Sequence, residues 1–134
     1  MQKIVIDTNI LIDYAHGYAK WLDNFIKAKS SGVIIVLPTI VIAEYFTSTA
    51  LEKEKNAEIA DKTFSFFAKQ DLNESIAKIL GTMMRRKTYP DSASIADLII
   101  ASTTIYLDAE LATRNKADFS KIPNLRIFNP KNLN

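Results

Sequence analysis

Short apolar runs along the chain predict the strands of a buried sheet. Ile4 to Ile6 and Val33 to Leu37 are continuous runs rich in β-branched residues, the kind of segment that a parallel sheet buries on both faces. Weaker runs near Glu110 to Thr113 and Arg126 to Phe128 continue the pattern toward the C-terminus. We therefore predict a central parallel sheet that contains these four segments.

The segments between the strands carry apolar residues at helical spacing. Gly17 is a candidate helix stop, and Thr39 and Asn73 are candidate N-caps. The predicted helices are Asn9 to His16, Tyr18 to Lys29, Thr39 to about Lys53, Asn56 to Gln70, Asn73 to Lys87, and one that begins near Ser92 to Ser94.

Alternating strands and helices favour right-handed crossovers between parallel strands. The expected fold class is α/β, a three-layer α/β/α arrangement with the parallel sheet in the middle. We find no repeat, low-complexity tract or linker in the 134 residues, so we expect residues 1–134 to form a single domain.

Composition narrows the chemistry that the chain can support. It has no cysteine and only one histidine, His16, so a thiolate zinc site, a thiol nucleophile and a histidine cluster are all excluded. Any bound metal must be held by oxygen. The net charge of +2 permits a nucleic-acid partner without requiring one.

The start of the chain gives no sign of a secretory signal, since the strand-like Ile4 to Ile6 is followed at once by Asp7. The other apolar runs are far shorter than the roughly 20 residues that a membrane helix needs. We therefore expect a soluble, cytoplasmic protein with no membrane partner.

Two aspartates lie beyond the carboxyl ends of predicted strands, which is where open parallel sheets bind ligands. Asp7 follows the first strand directly and opens the polar cluster Asp7-Thr8-Asn9. Asp118 lies in the polar loop after the strand at Leu111, three residues beyond Asn115. Each of these aspartates could instead be an ordinary helix cap or turn residue.

Two further acids lie in predicted helices. Glu44 interrupts an almost entirely apolar stretch, and since unpaired carboxylates are rarely buried, it either borders water or faces a cation, for which an arginine would be the structural explanation. Asp97 stands three residues after Ser94, so the two could form a capping box. Its place early in the helix also directs it toward the strand ends.

Taken together, Asp7, Glu44, Asp97 and Asp118 predict a metal site. Four carboxylates brought close together repel one another and must either take up protons or bind a cation. With oxygen ligands alone, the cation favoured is Mg²⁺ or Mn²⁺.

These motifs resemble those of the PIN-domain ribonucleases, and among them the VapC-like toxins of type II toxin-antitoxin pairs. The resemblance covers essentially the whole chain. Its marks are Ile4-Val-Ile-Asp-Thr-Asn, Glu44 after the second strand, Asp97-Leu-Ile-Ile-Ala-Ser, and Leu111-Ala-Thr-Arg-Asn-Lys-Ala-Asp-Phe.

The resemblance implies an endoribonuclease that hydrolyses RNA phosphodiester bonds with a metal-activated water. Asp7, Glu44, Asp97 and Asp118 would be its catalytic, metal-binding quartet, with either Asn115 or Asp118 as the fourth ligand. The neighbouring polar or substrate-binding residues would be Thr8, Asn9, Thr113, Arg114, Asn115 and Lys116. A cognate antitoxin and a homodimer are further expectations from the family.

Other functions fit the residues less well. A receiver domain needs a phosphorylated aspartate after a central strand and a lysine after a later one, and we place neither. A phosphatase with an Asp7 nucleophile would have an aspartate at position 9, where this chain has Asn9. The alternatives that stay open are a catalytically silent PIN-like module that binds RNA or protein, and a PIN nuclease of RNA processing rather than a toxin.

Overall fold

The computed structural model describes residues 2–27 and 32–132. Within these residues the strands are β1 (Gln2–Ile6), β2 (Val33–Pro38), β3 (Ala68–Gln70), β4 (Glu110–Ala112) and β5 (Arg126–Ile127). The helices are α1 (Thr8–Ala15), α2 (Lys20–Lys27), α3 (Thr39–Tyr45), α4 (Glu54–Phe64), α5 (Glu74–Arg86), α6 (Ile95–Tyr106) and α7 (Lys116–Phe119). Short 3₁₀ turns follow at Thr49–Glu52 and Pro130–Asn132.

The described strands form one parallel sheet in the order β3-β2-β1-β4-β5. The central strand β1 is buried on both faces, since Ile4, Val5 and Ile6 are all 0% exposed, which is what helices packed on both sides of a sheet produce. The α/β fold class predicted from the sequence is therefore confirmed.

The strand order places a topological switch point between β1 and β4. The chain leaves β1 toward β2 and β3 on one side, and then returns to add β4 and β5 on the other. Such a switch leaves a crevice at the carboxyl ends of the two neighbouring strands, where open α/β sheets bind ligands. Asp7 follows β1 and Thr113 follows β4, so both lie at this crevice.

Four predicted strands and the first helix agree with the structure within a few residues. Helix α1 ends at Ala15, and Gly17 follows with φ of +84°, a left-handed conformation that glycine adopts readily after a helix. Asn73 caps α5 by accepting a hydrogen bond from the Ile76 amide at 2.8 Å. The predicted helix from Tyr18 begins at Lys20, and its predicted last residues, 28 and 29, lie outside the described residues.

The helix predicted from Thr39 to about Lys53 was too long. It ends at Tyr45 and a 3₁₀ turn follows. The Thr47 hydroxyl donates to the Glu44 carbonyl at 2.6 Å, and the Ser48 hydroxyl accepts from the Ala50 amide. Hydroxyl side chains of this kind compete with helical hydrogen bonds. Thr39 is also not the cap, because the extended residue before α3 is Pro38.

The helix predicted from Asn56 to Gln70 was wrong in its last part. Helix α4 ends at Phe64, and Ala68–Gln70 forms β3, which pairs with β2 at the edge of the sheet. A three-residue strand has too few positions to show an alternating pattern. Pairing with β2, more than 30 positions earlier in the register, decides its structure.

The buried sheet predicts a strong dependence of stability on β4. Leu111 is 0% exposed and pairs with Val5, so Leu111→Ala should lower the free energy of unfolding by about 2–5 kcal/mol, through lost burial and a cavity. Urea denaturation followed by circular dichroism measures this loss. The matched control is Leu72→Ala, since Leu72 is 49% exposed. An equal effect of the two substitutions would contradict the burial.

Candidate active site

Asp7 is the centre of a hydrogen-bonded cluster at the crevice. It is 5% exposed, and its backbone amide donates to the Ala112 carbonyl at 3.0 Å, which fixes it against the end of β4. Its Oδ1 accepts from the Thr8 amide at 2.7 Å. Its Oδ2 accepts from the Thr113 hydroxyl at 2.7 Å and from the Asn9 amide group at 3.2 Å.

These contacts leave the Asp7 carboxylate partly unsatisfied. An ionised carboxylate has about four acceptor positions, and the donors around Asp7 occupy three of them. All three donors are neutral groups, and within the described residues Asp7 forms no ion pair. Asp7 therefore caps α1, as one interpretation of the sequence proposed, and still has an oxygen lone pair for a cation.

Burial raises the pKa of Asp7 above its ordinary value of 3.8. The hydrogen bonds from Thr113 and Thr8 lower the pKa, and the charges of Asp97 and Glu44 raise it further. The three acids therefore share one electrostatic environment. A buried carboxylate close to other negative charges is stabilised when it takes up a proton or when a cation binds beside it.

Glu44 is held on the Asp7 side of the crevice by its neighbour on α1. The Thr8 hydroxyl donates to Glu44 Oε1 at 2.6 Å, so Thr8 joins Glu44 to the residue directly after Asp7. An arginine partner, the structural explanation considered from the sequence, is absent among the described residues. Glu44 is half-buried and so borders solvent.

Asp97 lies on the other side, near the start of α6. The capping box considered from the sequence is present: the Ser94 hydroxyl accepts from the Asp97 amide at 3.1 Å, and Asp97 Oδ2 accepts from the Ser94 amide at 3.0 Å. Asp97 also lines a small pocket with Asn115 and Asp118. Capping therefore occupies one carboxylate oxygen and fixes the rotamer, while the side chain still faces the crevice.

Asn115, the residue before α7, and Asp118 within it line the same pocket. Asn115 makes no side-chain capping hydrogen bond, which leaves its amide oxygen accessible. Asp118 is more engaged, because the Ser92 hydroxyl donates to its Oδ2 at 3.2 Å and Lys121 lies 3.9 Å from its Oδ1. The two residues thus differ in how free their oxygens are.

The chemistry of these donors fits a hard divalent cation. The donor set consists of carboxylate and amide oxygens, which Mg²⁺ and Mn²⁺ prefer. In residues 2–27 and 32–132, no three acidic side chains lie close enough together to hold one ion.

Two residues of the crevice rim carry positive charge. Arg114 and Lys116 flank Asn115 and are exposed. Arg114 Nε lies 3.0 Å from Asp13 Oδ2, and the Arg114 backbone amide donates to the Asn9 side chain at 3.1 Å. Sequence reasoning missed Asp13 and Ser92, because each acts on a partner far along the chain and neither stands in a recognisable motif.

The chain is similar to known proteins over most of its length. A PIN domain model matches residues 4–125. The chain belongs to the PIN domain family. Over 131 residues it is 28% identical to Ribonuclease VapC2 of Rickettsia felis. The matched region covers 93% of this chain and 96% of that protein.

Solved structures share the fold of this PIN domain. The crystal structure of VapBC2 from Rickettsia felis, bound to a DNA fragment from their promoter, contains a chain with a TM-score of 0.78 and 28% identity, covering 96% of this chain and 98% of that one. A chain in a toxin-antitoxin complex from Klebsiella pneumoniae gives a TM-score of 0.67 at 24% identity, and the match covers 95% of this chain and 97% of that one.

None of the helices in the described part of the PIN domain is long and apolar enough to cross a bilayer.

The hydrogen bond from Thr113 to Asp7 predicts a stability effect that depends on pH. Thr113→Val removes the donor to Asp7 Oδ2 and the acceptor of the Asn115 amide, so it should lower the free energy of unfolding by about 1–3 kcal/mol at neutral pH. Because Thr113 lowers the pKa of Asp7, its removal raises that pKa further. The destabilisation should therefore grow as the pH rises through the folded-state pKa of Asp7, above 3.8.

Urea denaturation of metal-free protein at several pH values measures the effect. Thr113→Ser keeps the hydroxyl and serves as the matched control, with a smaller loss that changes little with pH. A Thr113→Val effect that is the same at acidic and neutral pH would show that the hydroxyl does not stabilise the charged carboxylate.

Proposed function

We propose that this PIN domain is a metal-dependent endoribonuclease that hydrolyses RNA phosphodiester bonds. The observation that carries the proposal is the buried Asp7 carboxylate, which faces the charges of Glu44 and Asp97 without a cationic partner among the described residues. Membership of the PIN domain family and similarity to a protein named as a ribonuclease support the assignment to RNA.

The ligands of the proposed site are Asp7, Glu44, Asp97 and the Asn115/Asp118 pair, and the proposed cation is Mg²⁺ or Mn²⁺. When bound, such a cation activates a water for attack on phosphorus and offsets charge on the phosphate oxygens. Thr113 and Asn9 orient the Asp7 carboxylate, and Thr8 orients Glu44. Arg114 and Lys116 supply positive charge for the phosphates on either side of the cleaved bond.

We also propose that the protein is the toxin of a toxin-antitoxin pair, with an antitoxin protein as partner, and that it forms a homodimer. Its relatives include chains from VapBC and toxin-antitoxin complexes. Apolar side chains on the surface, including Ile12, Phe46 and Ile59, are exposed by 38%, 42% and 55%, and such residues suit contacts with another protein chain.

The nuclease proposal predicts cleavage of total RNA that requires Mg²⁺ or Mn²⁺ and stops in chelator. Asp7→Asn and Asp97→Asn should each lower the rate by at least about 100-fold, since even the loss of an outer partner of a metal ligand costs 10–100-fold. Gel analysis of the RNA measures cleavage, and circular dichroism establishes that each variant folds.

The matched control is Asp108→Asn. The Asp108 side chain is 95% exposed and pairs with Arg126 at 3.0 Å. Asp108 precedes β4, so it lies at the amino ends of the strands, opposite the crevice. This variant should cleave RNA at the wild-type rate. Undiminished cleavage by both crevice variants, or cleavage that survives chelator, would overturn the proposal.

The different engagement of Asp97 and Asp118 predicts different losses of metal affinity. Ser92 and Lys121 already engage both oxygens of Asp118, whereas Asp97 uses one oxygen in its capping box. In calorimetric titrations with Mn²⁺, Asp118→Asn should therefore weaken binding less than Asp97→Asn does. An equal or larger loss for Asp118→Asn would make Asp118, rather than Asn115, the principal fourth ligand.

A further inference from the structure

A second recess opens directly beside the acidic crevice. It lies between α1, the start of α2, the end of β4 and the segment after β5, and it has a volume of about 480 Å³. Sites for small organic ligands span roughly 300–1,000 Å³. The residues that give it its character are Asp13, Trp21, Thr113, Arg114, Lys116 and Phe128.

Thr113 joins this recess to the proposed metal site. It lines the recess and, through the same side chain, donates to Asp7 Oδ2 at 2.7 Å. A group bound in the recess would therefore lie next to any group held by Asp7.

One wall of the recess is aromatic. Trp21 is half-buried, with its indole ring 5.0 Å from the ring of Phe128 and 6.1 Å from that of Phe25. These neighbours hold the indole in place while part of it faces the recess. A fixed and partly exposed indole is a platform on which a nucleobase stacks.

The other wall carries two cationic side chains, of which Arg114 is held in a fixed orientation. The Arg114 side chain is 61% exposed, and its pairing with Asp13 at 3.0 Å sets the direction of the guanidinium. Its backbone is fixed as well, by the hydrogen bond from its amide to Asn9. Lys116 lies on the same wall. Oriented cations beside an aromatic platform match the two parts of a nucleotide, the phosphate and the base.

We propose that this recess binds one nucleotide of single-stranded RNA beside the cleaved phosphate, with its base on Trp21 and its phosphate at Arg114 and Lys116. The proposal rests on the ribonuclease function proposed above, and it adds a subsite and a base-binding residue to it. Stacking accepts every base, so the subsite favours unpaired RNA over a double helix without selecting a sequence.

The chain contains a single tryptophan, which makes its fluorescence a direct report on the recess. The protein for the titration is the Asp97→Asn variant, which should leave RNA uncut. A uridylate hexamer should quench the fluorescence of Trp21 in a saturable manner. A hexamer of abasic sugar phosphates, which carries the same charge without bases, should quench it little.

Substitutions separate stacking from charge. With a fluorescein-labelled hexamer and anisotropy as the readout, Trp21→Leu should weaken binding by about tenfold, and Trp21→Phe should retain most of the affinity. Arg114→Gln should reduce the slope of log affinity against log salt by roughly 0.7, the value for one phosphate contact on a single strand. The control is Tyr106→Ala, since Tyr106 is exposed at the far end of α6 and should not affect binding.

The outcomes distinguish this proposal from the function on which it rests. Binding of the hexamer without quenching, or equal affinity of Trp21→Leu and Tyr106→Ala, overturns the subsite, even where the wild-type protein cleaves RNA. Quenching by the hexamer together with a wild-type protein that cleaves no RNA supports the subsite and overturns the nuclease function. Quenching by an antitoxin but not by RNA assigns the recess to a protein partner and overturns the proposal.

Discussion

The candidate site depends on one buried hydrogen bond, between the Thr113 hydroxyl and the Asp7 carboxylate. The two residues are 106 positions apart in the chain and meet only because β4 pairs with β1. The Asp7 amide, bonded to the Ala112 carbonyl, holds the same junction from the backbone. A carboxylate that is 5% exposed is costly to keep charged, so the site exists only when the sheet has closed around it and supplied these donors.

The acids come to the surroundings of Asp7 from different elements. Asp7 caps α1 at the end of β1, and Asp97 lies in the first turn of α6. Glu44 is instead the second-last residue of α3, from which it accepts a hydrogen bond from the Thr8 hydroxyl. Hydrogen bonds then hold two of the acids: Thr8 holds Glu44 from 36 positions away, and Ser94 holds Asp97 locally. The carboxylates are thus oriented in advance, which lowers the entropic cost of gathering them around a cation.

Sequence reasoning predicted those parts of the fold that local pattern and composition determine. Continuous apolar runs gave β1 and β2, and Asn73 and Ser94 marked the starts of α5 and α6 because capping is a local interaction. Strand β3 was not predicted, because only its pairing with β2 makes Ala68 to Gln70 a strand. The shared metal site of the four acids stays a prediction, and of their hydrogen-bond partners only Ser94 was considered from the sequence. Ser92 and Asp13 act across 26 and 101 positions, and no spacing in the sequence reports such contacts.

Arg114 shows how the two recesses form one continuous surface. Its side chain pairs with Asp13 on α1, and its backbone amide binds Asn9, whose own amide group donates to Asp7. The guanidinium is therefore positioned by the same helix that places the buried carboxylate. Because Asp13 leaves Arg114 largely exposed, the pair fixes direction without neutralising the surface toward solvent. A negatively charged strand drawn to this rim would meet the positive charge first and the carboxylates only beyond it, and these carboxylates repel phosphate unless a cation lies between them.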